Sequence, residues 1–144
     1  FENVMDGSEH LALVKGDVIS GGTFDEPIAR HPRERTKMAV VASGKEAKTH
    51  YRVLRRFGAY TLMECRLETG RTHQIRVHFS HAGYPLVGDK TYHPRGSALP
   101  FHRQALHAKV LAFEHPRTGK LCDFESELPE DFSTLLNSLQ SEKE

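Results

Sequence analysis

The chain has 144 residues, 38% hydrophobic and 27% charged, which describes one ordinary globular domain, or a fragment of one, with a single core. No apolar run approaches a membrane span and no signal peptide opens the chain, and no membrane partner is expected. The net charge of +1 conceals an asymmetry: residues 28–120 carry 18 Lys/Arg against 6 Asp/Glu, whereas both flanks are acidic. A polyanionic partner is expected, because lysines and arginines that neutralise phosphates release counterions and strengthen binding.

In chain order, "HLALVKGDV" (10–18) predicts a buried strand closed by Gly16-Asp17. "GGTFDEPIARHP" (21–32) reads as a glycine turn, a brief extended piece and a proline-stopped loop. "RERTKMAVV" carries mixed signals, and "SGKEA" (43–47) is a turn. "KTHYRVLRRF" (48–57) and "YTLMECRLE" (60–68) alternate apolar and polar residues across a Gly58-Ala59 turn, which predicts a hairpin. The period then changes. Ile75, His78, Phe79 and Ala82 fall on one face of a helix that Thr72 is placed to cap and Gly83 to end, with Pro85 barring continuation. "QALHAKVLAFEH" (104–115) and "KLCDFESEL" (120–128) read as strands joined by a "PRTG" turn. The last element is an amphipathic helix over 129–140, with Phe132, Leu135, Leu136 and Leu139 on one stripe. The expected fold class is α+β over a single domain 1–144: a mostly antiparallel mixed sheet with a few flanking helices. Cys65 and Cys122 sit in separate alternating segments and are expected to be reduced.

Three histidines and two arginines crowd "TGRTHQIRVHFSHAGYPLVGD" (69–89). His78 and His81, three apart, could touch one metal from a helix, but no third ligand stands out; no metal is expected, and His78 reads as a satisfied core histidine. Asp89, after Gly88, is the nearest acid; it reads as a turn or local partner rather than a nucleophile. Arg30, Arg33, Arg35, Lys37, Arg52, Arg55, Arg56 and Arg71 are candidate phosphate contacts, joined by Thr72 and His73 at the start of the helix.

"RLETGRTHQIRVHFSHAGYPLVGDKTY" resembles a motif of the RluA/RluD family of pseudouridine synthases. "GGTFDEPIARHPRERTKMAVVASGKEAKTHYRVL", "FHRQALHAKVLAFEHPRTGK" and "FESELPEDF" stand in the family's order, and the likeness covers residues 10–132. The resemblance implies a catalytic-domain portion of an RluD-like isomerase that needs no cofactor and converts uridines of large-subunit ribosomal RNA. The partner would be ribosomal RNA or the large-subunit precursor, and the location the cytoplasm. Arg76, in "HQIR", matches the family's active-site arginine, which orients a nucleophilic aspartate. That aspartate belongs to a segment upstream of the residues present here. Arg76 is therefore expected to be exposed with its partner position empty, and the chain alone to be inactive. His10 stands where the family has a tyrosine against the target base; Ile75 and Leu86 are candidates to line the same pocket, with core packing the commoner single role for each.

The chain starts at Phe1, and residues 1–9 are expected to be an irregular or non-native lead-in. Bare strand edges are expected to permit dimerisation. The alternatives are a non-catalytic RNA-binding module and, through the His cluster, a metal-dependent nuclease.

Overall fold

The computed structural model describes residues 8–94, 101–114, 121–125 and 127–143. Its strands are β1 (Ser8–Lys15), β2 (Gly22–Asp25), β3 (Ile28–Arg30), β4 (Met38–Val40), β5 (Lys48–Arg56), β6 (Tyr60–Leu67), β7 (Leu106–Glu114) and β8 (Leu121–Glu125). Its helices are α1 (Gln74–His81) and α2 (Glu130–Lys143). Six strands form one sheet in the order β2-β5-β6-β1-β7-β8, and β3 and β4 form a separate two-stranded hairpin. Every strand pairing is antiparallel among the described residues.

Period-two alternation explains how the sheet carries a helix on each face. On one side Ala12 and Val14 of β1 join Met63, Cys65 and Leu67 of β6 in a core with Ile75 and Phe79 of α1. On the other, Leu11 and Leu13 join Tyr60 and Leu62 against Phe132, Leu135 and Leu139 of α2. The hairpin predicted over 48–68 forms as β5 and β6. Leu54 is the extra residue of a bulge between Val53 and Arg55, and it lies exposed.

Helix α1 ends as its sequence predicts. Ala82 is the C-cap, Gly83 donates to Ser80 O and Tyr84 N donates to Phe79 O at 2.8 Å, which closes the last turn on a left-handed glycine. Its start differs. Thr72 does not cap: His73 holds that position with φ 57° and makes no side-chain cap bond. The side chain of Gln74 reaches back instead, accepting from Arg71 N (3.0 Å) and from the Thr69 hydroxyl (2.7 Å). A left-handed residue immediately before the helix shifts the entry by one position, so Thr72 is left exposed outside it. Ala82, counted on the helix's apolar face, is likewise exposed, while Gln74 and Val77 are buried.

Residues 21–32, read as a glycine turn, a brief extended piece and a proline-stopped loop, hold two strands, β2 at the sheet's edge and β3 in the hairpin. β1 begins at Ser8, inside the stretch read as a lead-in, while residues 1–7 and the "PRTG" turn lie outside the described residues. Cys65 is buried with a free thiol that burial pushes up, and the Cys122 side chain is not among those described. No described helix is long and apolar enough to cross a membrane.

Candidate active site

The site grows out of the chain that follows α1. Pro85–Val87 runs antiparallel to the end of β1, with Lys15 N donating to Pro85 O (2.8 Å) and Val87 N donating to Leu13 O (2.9 Å). Leu86 thereby enters the core beside Ile75 and Phe79 with no exposed surface. Of the two roles open to it in the sequence, core packing and pocket lining, it takes the first, because the strand-like pairing with β1 turns its side chain inward. Gly88 follows at φ +77°, and a Cβ there would collide with the backbone carbonyl of Arg103. Only glycine fits this turn, and the turn delivers Asp89 to Arg76.

The guanidinium of Arg76 donates from Nε to Asp89 Oδ2 and from Nη2 to Asp89 Oδ1, both at 2.9 Å. Asp89 is 1% exposed and the arginine side chain 11%. The expectation of an exposed arginine with an empty partner position is therefore corrected: the loop after α1 supplies a forked carboxylate from within the chain. The amide of Tyr92 also donates to Asp89 Oδ1 (3.3 Å), and the Tyr92 ring lies under the guanidinium, 5.0 Å from its carbon to the ring centroid. Two of five guanidinium N–H donors are committed to Asp89, which among the described residues leaves three for another acceptor.

Arg76 is not sealed in. With His10, Ile75, Leu67, Gln104 and Leu106 it lines a cavity of about 240 Å3. His10 stands in β1 beside a bulge, opposite Cys65 and Ala108. Burial, with His107 nearby, lowers its pKa to about 4, and its Nδ1 has no hydrogen-bond partner among the described residues. It is a neutral imidazole at pH 7. Of the three residues expected to form the pocket, His10 and Ile75 meet there and Leu86 lies behind them.

A larger cavity of about 790 Å3 lies between the β3–β4 hairpin and the start of α1. Ile28, Ala29 and Met38 give it apolar walls, and Arg30, Lys45, Arg71, Thr72 and His73 supply polar and basic groups. Its shape depends on Gly44, where a Cβ would meet the Ile28 backbone at 2.6 Å; the bare backbone lets Lys45 and Ile28 exchange two 2.9 Å hydrogen bonds. Gly70, Arg71 and His73 line both cavities, so the two adjoin. His73 is held below its usual pKa first by burial and then by Arg76, so it faces this space uncharged.

The other candidate phosphate contacts divide by place. Arg33, Arg35 and Lys37 sit in the hairpin loop, where Arg30 donates to Arg35 O and Lys37 pairs with Glu34. Arg52, Arg55 and Arg56 stand on β5 and line neither cavity. Arg52 bonds Glu64 at 2.8 Å, Arg56 forks onto Asp17, and Arg55 lies over the Phe57 ring. His78 is the satisfied core histidine its position predicted, bonded to the Thr49 hydroxyl (2.8 Å) and to Glu26 O (2.9 Å). Among the described residues no three ligating side chains gather as a metal site.

Sequence reasoning did not select Lys45, Gln104 or Tyr92. Lys45 carried a signal in the glycine beside it; Tyr92 carried none, since its role comes from meeting residues 16 and 54 positions away.

A sequence profile of the family described as RNA pseudouridylate synthase matches residues 8–81. A relative named "Ribosomal large subunit pseudouridine synthase D" from Pseudomonas aeruginosa is 53% identical over 145 residues, covering 92% of this chain and 45% of its own length. An "Uncharacterized RNA pseudouridine synthase" from Chloroflexus aurantiacus is 54% identical over 131 residues, covering 91% of this chain and 42% of its own length. Among solved structures, "Human RNA Pseudouridylate Synthase Domain Containing 1" superposes with a TM-score of 0.69 at 27% identity, covering 94% of this chain and 66% of that one. The chain thus spans less than half the length of these curated relatives.

Proposed function

Because the chain belongs to the RNA pseudouridylate synthase family, we propose that the protein carrying it isomerises uridines of large-subunit ribosomal RNA. In that reaction the N1–C1′ bond of uridine breaks, the base turns, and a C5–C1′ bond forms. The C5 proton leaves and N1 gains one, so no oxidant or cofactor is consumed. The name of the Pseudomonas aeruginosa relative supports the choice of RNA, as does the excess of 12 positive charges over residues 28–120. With ribosomal RNA as its partner, the protein would act in the cytoplasm.

The observation that carries the reading is Arg76, forked onto a buried carboxylate yet lining a cavity. Asp89 and Tyr92 fix its plane. Its remaining N–H donors then serve a second carboxylate, the nucleophile, supplied by chain outside these residues. A fixed positive fork keeps that nucleophile ionised and aimed, and Arg76 is thus a positioning residue. His10 and Ile75 receive the flipped base, and Leu86 supports Ile75 from the core. Extruding the base costs a few kcal/mol, which favours loops and bulges as targets. The larger cavity takes the flanking strand, with Arg30, Lys45 and Arg71 on phosphates and His73 and Thr72 as neutral donors. Without the nucleophile the 144-residue chain by itself does not turn over.

The test is release of the C5 hydrogen from labelled ribosomal RNA by the full-length protein. Arg76→Ala is expected to abolish release while RNA affinity stays within a few-fold, because one contact among many is lost. Parental turnover by that variant would refute the role of Arg76. RNA binding by the parent without any release would identify a non-catalytic binding module instead.

A further inference from the structure

Resting on that reading of Arg76, we propose that Tyr92 is a positioning residue that couples filling of the larger cavity to the orientation of the Arg76 guanidinium in the smaller one. Tyr92 touches both sites through different atoms. Its ring supports the guanidinium at 5.0 Å, and its backbone N–H donates to the carboxylate that holds Arg76. Its hydroxyl points the other way. It accepts from the backbone N–H of Met38 in β4 (3.0 Å) and bonds His73 Nδ1 (2.8 Å). Met38 and His73 both line the larger cavity.

The hydrogen count sets the direction of this relay. The phenol has one proton, and Met38 N–H already points at its oxygen, so the pair is fully satisfied when the phenol donates to His73 Nδ1. His73 then carries its own proton on Nε2. His73 is also the N-cap residue at φ 57° immediately before α1, three positions before Arg76. A displacement of the β3–β4 hairpin or of the His73 ring therefore reaches the guanidinium by two routes. One is the Tyr92 ring; the other is the helix start itself.

The lining of the larger cavity, with apolar walls and a basic rim, suits an unstacked nucleotide with its phosphate. An RNA strand seated there would press on Met38 and His73 and lock the phenol against Arg76. Correctly seated RNA would thus set the guanidinium for its carboxylate partner, and poorly seated RNA would leave it loose. The device makes binding energy at one cavity count in turnover at the other.

The experiment uses the full-length protein and C5-hydrogen release from a ribosomal RNA fragment, with kcat and KM measured separately. Tyr92→Phe keeps the ring under Arg76 and removes the hydroxyl relay; kcat is expected to fall about ten- to a hundredfold, the scale of a slightly misplaced contact, with KM within about twofold. Arg30→Ala, at the larger cavity, is expected to raise KM and lower kcat in the parent, but to raise only KM in the Tyr92→Phe background. A purely structural role would not produce that loss of coupling. Parental kcat in Tyr92→Phe, or additive effects of the two substitutions on kcat, would overturn the proposal. Tyr92→Leu, lacking the ring as well, is expected to be slower still; equal rates for Leu and Phe would remove the ring from the account. If Tyr92→Phe kept full activity while Arg76→Ala had none, only the relay would fall. If Arg76→Ala stayed active, the reading of the site beneath it would fall.

Discussion

Replacing Asp89 by Asn removes one charge from a pair whose members are 1% and 11% exposed while leaving the shape of the side chain. Taking one partner from a buried ion pair costs about 3–5 kcal/mol, most of it the uncompensated charge left behind. The amide retains one oxygen for a single Arg76 N–H, and the Tyr92 ring still faces the guanidinium, so the low end, about 3 kcal/mol, is expected. With a urea slope of about 1–3 kcal/mol per molar, the unfolding midpoint should drop by roughly 1–3 M. Urea unfolding followed by circular dichroism reads this directly. A second variant separates stability from chemistry. Arg76→Met with Asp89→Leu replaces the pair by apolar groups and is expected to recover stability to within about 1 kcal/mol of the parent. It should nonetheless release no C5 hydrogen. An Asp89→Asn protein whose stability matched the parent within about 0.5 kcal/mol would show that the pair is solvated and the argument from burial mistaken.

Gly88→Ala forces a left-handed backbone at φ +77° and drives a Cβ into the Arg103 carbonyl, so a loss of about 3 kcal/mol or more is expected by thermal unfolding. His10, whose pKa falls to about 4 in the folded protein, stays neutral there while the unfolded chain takes up a proton below about 6.5. Stability from this group is therefore intact above pH 6.5 and declines as pH falls toward 4, by up to about 3 kcal/mol. His10→Phe should flatten that part of the stability profile, and an unchanged slope would contradict the burial argument. Arg30→Ala and Arg71→Ala should each reduce the salt dependence of RNA binding by about one counterion. Arg52→Ala and Arg56→Ala, whose guanidinium groups already meet Glu64 and Asp17, should change it less in the same filter-binding titration.

The local elements were legible because their signals are local. Alternation from Lys48 to Leu67 records which side chains face the sheet's core, and a short turn leaves the two strands no nearer partner than each other. The 3.6-residue spacing of Ile75 and Phe79, stopped at Gly83, reports the buried face of α1 in the same way. Arg76 reads as a candidate functional residue only through its motif; nothing in its spacing separates it from any helix arginine.

What the tertiary structure decided is which distant groups meet. β1 lies between β6 and β7 although β6 follows it by 44 residues and β7 by still more, and no periodicity encodes that order. Thr72 reads as a cap by its residue type, yet one left-handed residue moved the helix start past it. Leu86 reads either as core or as pocket lining, and pairing with β1 decided for the core. Asp89 reads as a turn acid, and the turn is real; that the turn ends against Arg76 follows from Pro85–Val87 docking on β1, a contact between residues 70 to 74 positions apart in sequence. Composition and periodicity state how each segment divides its surface between core and solvent. Which acid meets which arginine is set only when those segments pack, because a charge pair has no period and its energy exists only at contact distance in a site that water has left.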